Sequence, residues 1–148
     1  MNNWYYKDTV IESIDQFPKD AVAFVYRITR LSDGKSYIGK KLIYFTSTKV
    51  RTVTLKNGTK KKKKIKELVE SDWKTYWSSS KELVEEVNTL GEKCFLREIL
   101  CYCSNKSSAS YYEARYQMDE RVLENRDHFW NGIINLRVNH SHIKPIIE

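Results

Sequence analysis

With 148 residues, 41% of them hydrophobic, the chain is long enough for one domain that buries its own core, and no apolar run approaches the roughly 18 residues that a membrane span needs. Its net charge of +7 is unevenly spread: twelve of the 26 basic residues lie between Lys35 and Lys66, where there is no Asp or Glu, and the other 14 share the rest of the chain with all 19 acidic residues. So concentrated a positive segment makes a local field that a polyanion feels, which puts nucleic acid first among partner classes and leaves no membrane partner in view.

In chain order, residues 1–20 hold Trp4, Tyr5 and Tyr6, then TVIESI, then Pro18. They predict a short helix or arm ahead of the core, and the start, MNNWYYKDTV, lacks the apolar stretch of a signal peptide. AVAFVYRIT and SYIGKKLIYF flank LSDGK, and two β-rich runs on either side of Asp33-Gly34 predict a hairpin. TSTKVRTVTLKNGTKKKKKIK follows. Asn57-Gly58 tolerates the positive φ of a tight turn, so a second, basic hairpin or loop is expected as an insert over about 46–66. Its lysine run repels itself too strongly to pack inside anything.

From Glu67 the pattern turns helical: Ser79 or Ser80 can cap a helix with Leu83, Val84 and Val87 on one side and Gly91 as its stop. FLREILCYC, residues 95–103, is apolar on both faces and predicts a central strand. SNKSSAS reads as a polar loop leading into a helix, SYYEARYQMDERVLENRD, where Glu113 has Tyr116 and Gln117 as its neighbours at helical spacing. The chain closes on a basic tail, 139–148, carrying His140 and His142. Cys94, Cys101 and Cys103 have no zinc-type spacing and read as reduced core thiols. With no internal repeat, one domain over 21–138 is expected between arm and tail.

Four short pieces then fall in an informative order: FVY at 24–26, YIG at 37–39 with ten residues between the two tyrosines, Glu113 in YYEARYQ, and Asn131 in FWN. Together they resemble the paired motifs of the GIY-YIG nucleases. YIGKK, WKTYWSSS at 73–80, REIL at 97–100 and the Tyr-x-Glu helix resemble most the small, homing-like endonucleases of bacteriophages, over residues 21 to about 138. The resemblance implies an α/β fold: a small, mainly antiparallel three-stranded sheet from 21–45 and about 93–103, flanked by helices, with the basic hairpin projecting from it. It also implies a metal-dependent DNA endonuclease, using Mg²⁺ or Mn²⁺ held by Glu113 and acting on double-stranded DNA. The location it implies is the cytoplasm, that of the host if a phage encodes the protein. A homodimer is one way in which both strands would be cut.

Phosphodiester hydrolysis requires an oriented water, neutralisation of the phosphate as it becomes pentacovalent, and stabilisation of the leaving oxygen. A hard divalent cation serves the last two and, because it keeps several waters, needs as little as one carboxylate. By resemblance, Tyr26 orients or deprotonates the water, Tyr37 supports it from the neighbouring strand, Glu113 is the metal ligand and Asn131, with Asn135 as its rival, completes the face. A free phenol has a pKa near 10, so Tyr26 acts as a base at neutral pH only where cations such as Lys40 and Lys41, or the metal, favour phenolate.

Two departures from the family pattern stand out. The first motif has lost its glycine, and the arginine usual on the helix after YIG is absent. The candidates for the cation at the phosphate are Lys41, Arg51 and Lys74, with Lys41 and Lys74 preferred. Lys40, Lys49, Arg51, Lys60, Lys61, Lys62, Lys63, Lys64 and Lys66 are assigned to the DNA backbone, which gives salt-sensitive affinity without reading sequence. The missing arginine also motivates an alternative: a catalytically inactive nucleic-acid-binding protein on the same scaffold. Each residue has a plainer explanation too. Tyrosines suit any half-buried pleated surface, Glu113 suits a solvated helix face, and Asn131 suits a turn before Gly132. Trp73, Tyr76 and Trp77 are either core or groove aromatics, with core preferred for Trp77.

Overall fold

A computed structural model describes residues 2–147. Its elements are β1 (Trp4–Tyr6), β2 (Thr9–Ile11), β3 (Ala23–Arg30), β4 (Ser36–Leu42), β5 (Tyr44–Thr54), β6 (Lys60–Glu70), α1 (Lys81–Leu90), β7 (Phe95–Cys103) and α2 (Lys106–Asp119), with short 3₁₀ turns between them. The main sheet runs β2-β1-β7-β3-β4, and β5 and β6 form a separate two-stranded ribbon. All neighbours are antiparallel except β1 and β7.

The expected hairpin is β3–β4. Gly34 takes φ +78°, which its lack of a Cβ permits, and Arg30 clamps the turn with an ion pair to Asp33 at 2.6 Å. Alternation along these strands splits the core. Phe24, Tyr26 and Ile28 face one side, where they meet Trp4, Trp73 and Leu83 of α1; Ala23, Val25 and Ile38 face the other, where Ala109 of α2 covers them. β7 lies between β1 and β3; Phe95, Arg97, Ile99 and Cys101 to Cys103 are buried, but Leu96, Glu98 and Leu100 are only half-buried, so it is less fully covered on both faces than its composition predicts.

The sheet has five strands, not the expected three. Residues 4–11 add β1 and β2 where an arm or helix was expected, because the Trp4 indole is core: it is 1% exposed and donates from Nε1 to the carbonyl of Trp73 at 2.7 Å. The helical reading from Glu67 also fails at its start. Glu67 to Glu70 pair with Ser47 to Tyr44 in the ribbon, and α1 begins only at Lys81, where the Ser80 hydroxyl accepts from the Leu83 amide. α2 stops at Asp119, earlier than its sequence pattern, as Arg121 enters the left-handed region at φ +53°. Cys101 and Cys103 are buried as expected, but Cys94 is exposed, on the 3₁₀ turn before β7.

Candidate active site at the edge of the sheet

β4 is one of the two edge strands of the main sheet, its Ser36 taken up by residues 128–130, and the candidate residues gather along it. Tyr37, Gly39 and Lys41 alternate onto one face of this strand, and Gly39 pairs with Tyr26 across the hairpin. That pairing gives the glycine its role. A Cβ on residue 39 would lie 2.5 Å from the Tyr26 hydroxyl oxygen and 2.9 Å from Cε1 of Tyr37, so only a glycine lets both phenols settle here. Beside Tyr26 the register against β7 slips: Val25 faces Cys101 and Tyr26 faces Ile99, leaving Leu100 as a bulge. Bulges twist a strand and re-aim its side chains.

Tyr26 is 1% exposed, edge-on to Trp4 at 5.3 Å and to Tyr76 at 6.0 Å, with Tyr37 tilted over it at 6.3 Å. Burial, with Tyr76, Tyr37 and Glu113 adding to it, pushes its phenol well above the ordinary value. This is opposite to the expectation that Lys40 and Lys41 would favour phenolate, and the reason is geometric. Lys41 is itself buried, its ammonium 4.2 Å from the Tyr76 ring and 2.5 Å from the Asp72 carboxylate, so its charge is already shared. That pairing in turn lowers the Asp72 pKa. Tyr37 is half-buried; its hydroxyl meets that of Ser79 at 3.0 Å, and burial raises it as well.

Glu113 reaches the same edge from α2. Burial raises its carboxyl, while the Lys40 ammonium and the Lys40 backbone amide pull it back down. That amide belongs to the outer edge of β4, so the strand itself helps hold the carboxylate. Lys40 donates to Ser110, one turn earlier on α2. Lys40, Lys41, Phe45, Tyr76, Lys106 and Ala109 line a hollow of about 300 Å³ beside these groups, with three ammonium groups around an aromatic floor.

Asn131 is buried and spends its amide on the strand. It accepts from the Ile38 N–H at 3.0 Å and donates to the Ile38 carbonyl at 2.7 Å, as a missing strand would. Gln117 donates to the same carbonyl at 2.9 Å. Asn131 therefore fixes the backbone between Tyr37 and Gly39. Lys74 is not among the residues lining the hollow of Lys40 and Lys41 and lines a separate one with Asn2, Asn3, Glu12 and Arg97. Arg51 and the remaining lysines assigned to DNA lie on the ribbon, where Lys49 and Arg51 pair with Glu67 at 3.2 and 3.7 Å.

Sequence reasoning missed several supports. Tyr76 and Asp72 frame Lys41. Arg97, buried and with its pKa pushed down to about 10, stacks between Trp4 and Trp77 and donates to the carbonyls of Lys74 and Tyr76, which fixes the segment that carries Tyr76. In WSSS each serine has a task. Ser78, at φ +94°, accepts from the Ser80 amide, Ser79 meets Tyr37, and Ser80 caps α1. The glycine of YIG was the one signal in the sequence that marked a close approach.

One carboxylate at an open strand edge, with room for water beside it, fits a hard divalent cation that keeps most of its hydration. Among the described residues no three His, Cys, Asp or Glu side chains cluster as a ready-made cage. No described helix is long and apolar enough to cross a membrane. Comparison of the chain with curated proteins and with solved structures gives no match. The family model described as "Putative endonuclease segE, GIY-YIG domain" matches residues 4–134, from β1 past Asn131, and the chain therefore belongs to the SegE-type GIY-YIG endonuclease domain family.

Proposed function

We propose that this protein is a metal-dependent endonuclease that hydrolyses phosphodiester bonds of double-stranded DNA at the β4 edge. The observation that carries this reading is the convergence of Tyr26, Tyr37, Lys41 and Glu113, from three elements, at the edge strand β4 beside a basic hollow. Glu113 would hold Mg²⁺ or Mn²⁺, which when bound supplies charge stabilisation for the phosphate and the leaving oxygen. Tyr26 and Tyr37, kept as neutral phenols by burial, hydrogen-bond and orient the attacking water and a phosphate oxygen. Lys41 exchanges its partner Asp72 for the phosphate, and Lys40 and Lys106 receive the neighbouring backbone. Lys74, which lines the other hollow, drops to a backbone contact. Asn131 acts as a positioning residue through Ile38.

The test is incubation of supercoiled plasmid with purified protein in Mg²⁺, Mn²⁺ and EDTA beside the Glu113→Ala variant. Metal-dependent nicked or linear product, reduced by at least about 100-fold in the variant, is the expected result, and the product form reports whether one strand or two are cut. Undiminished cleavage by the variant overturns the assignment. The neutralisation of Lys41 by Asp72 favours a second reading, a DNA-binding protein without turnover, which predicts a gel shift and no product under every metal condition.

A further inference from the structure

The β5–β6 ribbon is built against the usual rules of strand stability. It extends eleven residues on each strand and packs on no second layer along most of its length; Val50 and Leu68 are 59% and 67% exposed. Arg51 stands directly opposite Lys63, a like-charge pair that destabilises a ladder. An isolated two-stranded ribbon is marginal in water, so five consecutive lysines from Lys60 to Lys64 are a cost to folding that an anionic partner removes.

The register then sorts the ribbon into two unlike faces. On one face Lys60, Lys62, Lys64 and Lys66 recur every second residue, about 7 Å apart, with no carboxylate among them. Directly opposite, on β5, stand Thr54, Thr52, Val50 and Thr48, a row of short β-branched side chains. On the other face Glu67 takes up Lys49 and Arg51. Eleven residues at about 3.3 Å each span roughly 35 Å, which is about one turn of B-form DNA. The major groove, about 12 Å wide, admits a two-stranded ribbon, and threonine and valine suit base edges and thymine methyls there.

Resting on the nuclease reading of the β4 edge, we infer that the ribbon lies along the major groove of B-form duplex DNA for about one helical turn beside the cut. Its Thr/Val row faces the floor of the groove, and the row Lys60, Lys62, Lys64 and Lys66 faces a phosphate rail. The ribbon begins one residue after β4, so a duplex seated on it lies next to the β4 site. RNA duplexes are refused by the same geometry, because the A-form major groove is deep and too narrow for side chains to read.

Binding is measured by fluorescence anisotropy in EDTA, with the full chain and duplexes of graded length, B-form DNA against RNA of the same sequence. The four-fold variant Lys60→Ala, Lys62→Ala, Lys64→Ala, Lys66→Ala is expected to lose at least about 10-fold in affinity at 0.1 M salt. Its log–log salt slope should shrink by about 3 to 4, near 0.9 for each phosphate no longer neutralised. The opposite-face variant Lys49→Ala, Lys61→Ala, Lys63→Ala should lose clearly less, and RNA duplex should bind at least 10-fold more weakly than DNA. Equal losses on the two faces, or equal binding of the two duplexes, overturns the inference. Circular dichroism of both variants, expected to match the parent because the lysines touch no core residue, excludes unfolding as the cause. Plasmid cleavage in Mg²⁺ separates the two readings. No product from a parent chain that shows this binding pattern overturns the nuclease reading alone, whereas cleavage with indifferent faces overturns the ribbon alone.

Discussion

The β4 edge and the β5–β6 ribbon are joined by one residue and differ in almost every physical respect. At the edge, the tyrosines, Lys41 and Asn131 are buried or half-buried, each hydroxyl, ammonium or amide meets a partner, and the phenols are raised by the loss of water. On the ribbon the side chains stand in solvent, the charges outnumber their partners and almost no apolar surface is covered. Position at the edge is set by packing and by single hydrogen bonds, so small steric changes should be severe there and salt should matter little to the geometry. On the ribbon, charge is the property that counts, and steric changes should be nearly silent.

The largest expected effect comes from Gly39→Ala. Its new Cβ meets the Tyr26 hydroxyl at 2.5 Å and Cζ at 2.7 Å, atoms of a ring that Trp4 and Tyr76 already confine. Overpacking of this kind costs about 1–3 kcal/mol, and displacing both phenols by an ångström is expected to lower cleavage about 100-fold. Urea melts and plasmid nicking read the two effects. An alanine tolerated in both would remove the close packing at the edge from the comparison.

Asn131→Ala follows. It strips the Ile38 N–H of its acceptor and leaves the Ile38 carbonyl to Gln117 alone, a buried loss of about 1–3 kcal/mol. As a positioning residue Asn131 should change kcat while DNA binding in EDTA holds. A rise in Kd with unchanged turnover at saturating DNA would instead place its amide on the substrate.

How far each region could be read from the sequence follows from the same contrast. The turn half of the ribbon was legible as a hairpin or loop, because Asn57-Gly58 and an acid-free lysine run are local signals, but its root was not, since Glu67 to Glu70 read as helical and prove to pair with Ser47 to Tyr44. The hairpin bearing Tyr26 and Tyr37 was legible from Asp33-Gly34, and Ser80 and Gly91 from capping chemistry. The two extra strands were not. β1 is three residues long, and its place is decided by parallel pairing with Arg97 to Ile99 and by burial of Trp4, both far away in the chain. Nor could the direction of the Tyr26 shift be read, since Lys41, expected to favour its phenolate, proves to be paired with Asp72 from beyond the ribbon. The use of the Asn131 amide on Ile38 likewise depends on an element with no local signature.

Titration sharpens the comparison with a smaller effect. Burial raises the Glu113 carboxyl in the folded chain. Between the ordinary glutamate value and the raised one, the folded state therefore binds more protons than the unfolded state, and stability falls as pH rises through that window. In EDTA at neutral pH, Glu113→Gln should melt at a higher temperature than the parent, and the gap should close as pH drops below about 4. A parent that equals or exceeds the variant at pH 7 would mean that the Lys40 ammonium and amide outweigh desolvation.

The smallest effect is on the ribbon, and its two readouts move in opposite directions. Lys63→Thr removes the like charge facing Arg51 and puts a β-branched residue on a strand, which should stabilise the ribbon by about 0.2–1 kcal/mol. Slower amide hydrogen exchange along β5 and β6 at low salt would register it, with exchange in β3 and β7 unchanged. The same substitution removes one cation from a polyanion-binding surface, and because Lys63 lies on the face that also carries Glu67, DNA affinity should fall by only a few-fold. A ribbon that gains order and loses grip together is one whose lysines are kept for the partner against the interest of the fold. Slower exchange with undiminished affinity would confine the charge that matters to the opposite face, and faster exchange would show that the lysines hold the ribbon's conformation even without DNA.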